Sequence, residues 1–373
     1  MTIRKKTKRA PKRPWSFLVY IAGDNDLSSF GLSDIQEMCK AGSSSRVHVG
    51  VEIDTLGDHT GSIRYEITEP DWSGRSYAKE IERLPERDSG DPQTLIDFLK
   101  WGLRRYTSTH PLVVVWNHGS GFRRGRRRDI ASDDFGSSLD MPELEGAFRA
   151  AGISRSNRIR VLGFDACLMN MVEVVHQFDG LADIVVGSQQ TEPGEGWPYD
   201  QVLRQVKTGS SPDEVAKGIV AEYIKSYKAV RERNVTQSAV AVAKTGAVLA
   251  ALGEAGKRLA DLLPAQRLKL RQIRLAAQSY EFADYVDLIH LLGLLRSAFP
   301  PLRPKFDSTV SKANACILAN GWYGSAVKNS NGLSVWFPAS ADMYSNYRTK
   351  YLALKGPAAH RGWLKFLDAY HAS

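Results

Sequence analysis

Three side chains in this sequence invite chemistry by their types and spacing. In "VLGFDACLMNMVEV", residues 161–174, an apolar run climbs to Asp165, Ala166 and Cys167 and then turns into something helical. A thiol attacks only as its thiolate, and imidazole is the usual group that produces one. An imidazole stands in "PLVVVWNHGSGF", where a second apolar run ends at His118, followed by Gly119. If the two runs are neighbouring strands, His118 and Cys167 face each other across one end of a sheet. Gly119 has no Cβ, so its N–H can approach a substrate oxygen closely. The amides of Gly119 and Cys167 could together form an oxyanion hole. Asp165 is the odd member. Two residues from Cys167 in an extended segment, it lies on the same face, and an anion there disfavours a thiolate. Its position asks for a role other than activating sulfur. Taken singly, a cysteine at a strand end is a small core residue and a histidine beside glycine is a turn residue. The pairing at two strand ends is what points to catalysis.

Such groups need a frame, and the hydrophobic pattern supplies one. "WSFLVYIA", residues 15–22, is continuous, β-branched and aromatic, as in a strand buried on both faces. "SSFGLSDIQEMCKAG" is helix-like and ends at Gly42. "VHVGVEID" and "SIRYEI" read as strands. Residues 91–106 space their apolar side chains as an amphipathic helix behind an Asp cap. "DMPELEGAFRAAGI" and "VEVVHQF" are helical, while "RIRVLGFDAC" and "ADIVVGS" are strands. The alternation predicts an α/β fold: a mostly parallel central sheet with helices on both sides and functional groups at the carboxyl ends of its strands. After about residue 210 the character changes. "SPDEVAKGIVAEYIKSYKAV" is helical and "SAVAVAK" is a short strand. Residues 245–320 are mostly helical, "GLSVWFP" at 332–338 is a late strand, and the last segment is helical again. The expected organisation is a basic disordered tail at 1–14, a catalytic core at 15–243 and a mostly helical C-terminal subdomain at 244–373.

The chain has 373 residues, 43% hydrophobic and 24% charged, values of an ordinary globular protein. No apolar run reaches the roughly 20 residues that span a bilayer. The net charge of +9 is concentrated. Residues 1–13 hold seven Lys/Arg, and "RRGRRR" at 123–128 holds five Arg, with no acid in either. Without these segments the balance turns slightly negative, which weakens a nucleic-acid-binding surface as the main function. The three cysteines, Cys39, Cys167 and Cys316, are odd in number and widely spaced. That argues against a disulfide framework and for a reducing, cytoplasmic location. No cysteine–histidine cluster suggests zinc. The basic start followed by an apolar stretch superficially mimics an export signal, but the stretch is short and runs into "GDND". "GDNDL" at 23–27 is read as an Asx-rich helix cap, and Cys39 and Cys316 as inert core thiols.

The chain resembles the clostripain family of cysteine peptidases, relatives of caspases, legumain and gingipains. The resemblance lies in "WSFLVYIAGDNDL", the His-Gly of "WNHGSG", "DACLMNMVEV", "SQQTEPGEGWPY" and "GLSVWFP", in the family's order across nearly the whole chain. The Asp-Ala-Cys-Leu-Met block with the later Pro-Gly-x-Gly-Trp-Pro-Tyr is its most specific part. Ser120 stands where relatives often have a third Gly, and the first residues lack the secretion signal of well-known members. The resemblance implies a caspase-like α/β/α sandwich, Cys167 as nucleophile and His118 as its proton-transfer partner, with no third catalytic residue. Family members cleave proteins after Arg or Lys, so Asp165 would sit at the base of the specificity pocket and pair with the substrate cation. Ser188, Glu195 and Trp197 would line that pocket, Glu195 as a second acid and Trp197 as an apolar wall. Calcium enters only as an accessory that some members respond to. No membrane partner is implied.

The segment "GFRRGRRRDIASDD", 121–134, follows the His118 strand and is charged, Gly-containing and without hydrophobic periodicity. An enzyme that cleaves after Arg would carry five Arg beside its own pocket. This predicts a zymogen cut after Arg123, Arg124, Arg126, Arg127 or Arg128, by itself or by an upstream protease. The competing expectation is an inactive caspase-like binding module that engages an acidic protein or nucleic acid through its tail and Arg loop. The intact His118 and Cys167 disfavour it.

Overall fold

The computed structural model describes residues 10–56, 61–123, 130–133, 136–206, 211–231 and 234–372. The chain runs β1 (Arg13–Gly23), α1 (Ser28–Ala41), β2 (Val47–Thr55), β3 (Ile63–Ile67), β4 (Ala78–Arg83), α2 (Pro92–Arg105), β5 (Ser108–Trp116), α3 (Met141–Ala150), β6 (Ile159–Asp165), α4 (Val172–Gln177) and β7 (Ala182–Gly187). It continues through α5 (Tyr199–Gln205), α6 (Pro212–Val230), β8 (Val235–Ala241), α7 (Thr245–Ala276), β9 (Tyr285–Asp287), α8 (Leu288–Ala298), α9 (Arg303–Cys316), β10 (Ile317–Tyr323), β11 (Ser334–Trp336), α10 (Ala341–Leu352), α11 (Lys355–Ala359) and α12 (Gly362–His371).

Local chemistry explains several boundaries. Asp91 caps α2 by accepting from the Gln93 N–H at 2.8 Å. Asp140 with Glu143, and Ser211 with Glu214, form capping boxes that start α3 and α6. The chain leaves α1 at Gly42, whose φ of +68° suits a residue without Cβ.

Nine strands form one sheet in the order β10-β8-β7-β6-β5-β1-β2-β3-β4. The inner strands β2, β1, β5, β6 and β7 are parallel, and antiparallel strands flank them on both sides. Successive residues of β1 alternate between two cores. Leu18, Tyr20 and Ala22 join α2, α3, α4 and the C-terminal helices, whereas Phe17, Val19 and Ile21 join α1, α5 and α6. The result is the expected α/β/α sandwich.

Three expectations change. The strand β1 already includes Arg13 and Pro14, so the tail is shorter than 1–14; residues 1–9 lie outside the described residues. Residues 317–320, at the end of the stretch read as mostly helical, open β10, which pairs with β8 at the sheet edge. Its mixed exposure hides the continuous apolar signal of an inner strand. The C-terminal third is therefore not separate from the sheet, and its buried side chains share one core with β1, β5 and β6.

Candidate active site

The sheet order places β1 between β2 and β5, so the chain reverses its direction of travel across the sheet at that point. Crevices open there at the carboxyl ends of parallel strands. The register pairs Ile21 with Trp116 and Trp116 with Asp165. Two residues further on, β5 has delivered His118 and β6 has delivered Cys167 to the same edge. Both line one cleft of about 270 Å³, together with Asp165, Gly119, Leu168, Glu192, Gly196 and Phe282.

The turn that presents Cys167 is strained and pinned. Leu168 has φ +63°, unusual for a bulky residue. Its N–H donates to Gln190 O at 3.1 Å, and the Asn170 N–H donates to Ser188 O at 2.9 Å. From the other side, the Ser334 N–H donates to Asn170 O at 3.1 Å. The segments after β7 and around β11 thus hold the cysteine turn in place. The sulfur itself meets the backbone of Glu192, whose N–H lies 3.2 Å from Sγ.

Gly119 is fitted against this turn. A Cβ there would overlap the Cys167 carbonyl oxygen and come within 2.8 Å of the Cys167 nitrogen. Gly119→Ala is expected to push the two strand ends apart and lower kcat/KM on an arginyl amide substrate by about a hundredfold, the usual effect of an ångström-scale misplacement. Steady-state kinetics alongside a melting curve separate this from unfolding.

His118 has a partner that the sequence reading passed over. Its Nε2 lies 2.7 Å from Asp26 Oδ1, in the turn after β1. This favours the tautomer with the proton on Nε2 and Nδ1 as the basic nitrogen. The Asp26 side chain is 80% exposed, and the contact serves to orient the ring. "GDNDL" is accordingly only in part a cap: Asn25 Oδ1 accepts from the Leu27 N–H at 2.9 Å, and Asp26 serves the imidazole. Among the described residues, no group of three His, Cys, Asp or Glu side chains could hold a metal ion. Asn117 contributes to the cleft wall, while its side-chain amide donates to Ala22 O and Ser132 O.

Asp165 forms the cleft floor. Its Oδ2 accepts from the Tyr199 hydroxyl at 2.8 Å and from the Trp197 N–H at 3.2 Å. Burial pushes its carboxyl up, against the lowering effect of those hydrogen bonds. Gly196, at φ +56°, closes over it, and a Cβ there would sit 2.9 Å from both carboxylate oxygens. Burial likewise raises the Cys39 thiol and pushes Cys316 up to about 12, so neither competes as a thiolate at neutral pH.

Four expected contacts are corrected. Ser188 is fully buried and pairs with Thr236 Oγ1 at 2.9 Å, so it braces the strand end and does not line the cleft. The Trp197 ring is fully buried beneath the sheet, in the space left by Gly163; only its N–H serves the site. Glu195 points to a separate cavity beside Glu37 and Tyr227, and the second acid of the cleft is Glu192. Arg123 is buried, paired with Asp284 and packed against the rings of Phe282, Tyr285 and Tyr347, so its side chain is not offered for cleavage. Arg124, Arg126, Arg127 and Arg128 lie outside the described residues. Glu192, Glu281 and Phe282, which line the cleft, and Asp26, which holds the imidazole, are site residues that sequence reasoning missed.

Fold and site together define a class: a caspase-like α/β/α protein with a cysteine and a histidine at the ends of two adjacent central strands. The profile of the clostripain family matches residues 19–370, and the chain belongs to that family. It is 27% identical over 238 residues to clostripain from Hathewaya histolytica, covering 56% of this chain but only 45% of that protein. Among solved structures, it resembles a secreted C11 cysteine protease from Bacteroides thetaiotaomicron in complex with an irreversible peptide inhibitor. There the TM-score is 0.73 and the identity 20%, over 91% of this chain and 98% of the other. An inactive zymogen C11 protease from Parabacteroides distasonis matches with a TM-score of 0.73 and 16% identity, over 94% and 99% of the two chains.

Proposed function

We propose that this protein is a cysteine endopeptidase that cleaves peptide bonds after Arg, and less readily Lys. The observation that carries this is the β5–β6 register, which delivers an imidazole and a thiol to one cleft with a buried carboxyl on its floor. His118 takes the thiol proton, and Cys167 attacks the scissile carbonyl carbon. The amides of Gly119 and Cys167 receive the oxyanion, as their close approach favours. The C–N bond breaks as His118 returns the proton to the leaving amine, leaving a thioester that water hydrolyses. Asp165 pairs with the guanidinium or ammonium of the residue whose carbonyl is attacked, a charge-assisted contact in a desolvated floor. Incubating the purified protein with a peptide library and mapping the cuts tests this. Cuts spread over neutral residues would sink the Arg assignment, and the absence of cuts would sink the peptidase.

The Arg-rich segment supports a zymogen. Its start is fixed to the C-terminal part by the Arg123–Asp284 pair, and four further arginines follow. The chain is cut after Arg124, Arg126, Arg127 or Arg128, by itself or by an upstream protease. Gel analysis and terminal sequencing are expected to show two fragments from the wild type. One intact band from Cys167→Ala identifies self-cleavage. A variant with those four Arg changed to Ala that stays uncut yet is fully active removes the switch.

A cytoplasmic location rests on the low, odd number of cysteines, none of them in a disulfide among the described residues, while the Bacteroides relative is described as secreted; cell fractionation decides it. Among the described residues, no helix is long and apolar enough to cross a membrane. Accessory calcium is tested by comparing activity in chelator and in added calcium.

A further inference from the structure

The floor of the cleft holds two carboxyl groups. Glu192 follows β7 and lines the same cleft as Cys167 and Asp165. Its Oε1 accepts from Gln237 Nε2 at 3.3 Å. Its Oε2 is buried, and among the described residues no N–H or hydroxyl donates to it. The nearest acid sharing that cleft is Asp165, whose charge raises the Glu192 carboxyl. Neither group has a Lys or Arg ion-pair partner among the described residues. Two carboxylates on one buried cleft floor cannot both stay ionised without a large cost, and a single shared proton removes it.

We propose that Glu192 is a second specificity-determining residue, that it shares one proton with Asp165 in the free protein, and that an entering guanidinium or ammonium displaces this proton into solvent. The inference rests on the proposal that the cleft takes a basic side chain.

The surroundings agree from every side. Helix α1 contributes Asp34 and Glu37, α5 contributes Tyr199, and α6 contributes Tyr223 and Tyr227. Strand β8 offers the neutral Gln237, the thiol of Cys167 is close, and His118 and Glu281 stand around the cleft. Among the described residues, none of these groups is a permanent cation. Burial and the neighbouring Asp165 both raise Glu192, and burial raises Asp165 too. A guanidinium carries five N–H donors in a planar fork and can satisfy both carboxylates at once. The exchange is balanced. One O–H bond of the pair breaks, its proton goes to water, and two carboxylates then hold one cation. No electrons change hands.

The test is calorimetric and uses the full chain carrying Cys167→Ala, which binds without turnover. An acetylated tripeptide ending in arginine amide is titrated in buffers of different ionisation enthalpy, and its citrulline counterpart serves as the neutral control. The expected result is release of close to one proton per arginine peptide near neutral pH. The Kd should then fall by up to about tenfold per pH unit as pH rises while the pair is protonated in the free protein. The citrulline peptide releases none. Adding Glu192→Gln, which keeps the shape of the side chain, should abolish the release, flatten the pH dependence and weaken arginine binding by at least about tenfold above the window. Arginine binding without proton release overturns the proposal, as does undiminished release in the Glu192→Gln protein, which would move the proton to Asp34. If neither peptide binds, the basic-residue specificity itself is wrong and the pair falls with it.

Discussion

Cys167→Ala is expected to leave a folded protein whose hydrolysis of an arginyl amide is at least about 10⁴-fold slower, because no second thiol lines the cleft among the described residues. The loss is specific to sulfur. The half-buried side chain is small, and the turn that carries it is held by backbone hydrogen bonds to Gln190, Ser188 and Ser334, which alanine keeps. His118→Ala should fall almost as far, since the two residues act as one unit and removing either disables the other. Unlike the cysteine variant, it retains a thiol that a haloacetamide labels slowly. Rates on a chromogenic arginyl amide, with melting curves for both variants, check the assignment. Wild-type turnover by Cys167→Ala would remove Cys167 as the nucleophile.

Asp165→Asn should cost well over tenfold on arginyl substrates, on the order of a hundredfold, because removing one partner of a buried ion pair typically costs about 3 kcal/mol or more. Cleavage after neutral residues should not rise to compensate. Tyr199 and the Trp197 N–H still converge on position 165, and Gly196 still closes the floor, so the cleft keeps its depth and polarity. Glu192 remains as a second carboxyl, which is why the loss stops short of the effect of losing the nucleophile. The effect should appear mainly in KM if the cation is bound equally in ground and transition states, and in kcat as well if it sets the attack geometry. Unchanged arginyl cleavage would place the specificity carboxyl elsewhere, with Glu192 the next candidate.

The parts of the site that lie on inner strands were legible in the sequence. Continuous apolar runs announce β5 and β6, and the polar residues that end them, His118 and Asp165-Ala-Cys167, must then emerge at the sheet edge. The parts that depend on loop geometry were not. Asp26 reaches His118 only because β1 lies beside β5, an adjacency that local pattern does not reveal. Glu192 and Glu195 flank one Pro-Gly turn, and which of them enters the cleft is decided by the left-handed Gly196, not by alternation. Trp197 looks like a wall for substrate, yet the missing side chain at Gly163 draws its ring beneath the sheet. Glu281 and Phe282 reach the cleft from more than a hundred residues downstream, with no chemical signature in their segment.

The Arg-rich segment connects two adjacent central strands, and this has a consequence for the lifetime of the enzyme. A cut there assigns β1 to β5 with His118 to one polypeptide, and β6, β7, β8 and β10 with Cys167 to the other. Activity then becomes a property of an association, because each piece carries half of the reacting pair. The buried Arg123–Asp284 contact and the β5–β6 ladder act as a quaternary interface inside what was synthesised as one chain. Once parted, each fragment exposes a long apolar strand edge that templates aggregation faster than it finds its mate. Under the proposed cut, the cleaved form is expected to be active while its pieces hold together and unable to regain activity after denaturation, whereas the uncut chain refolds.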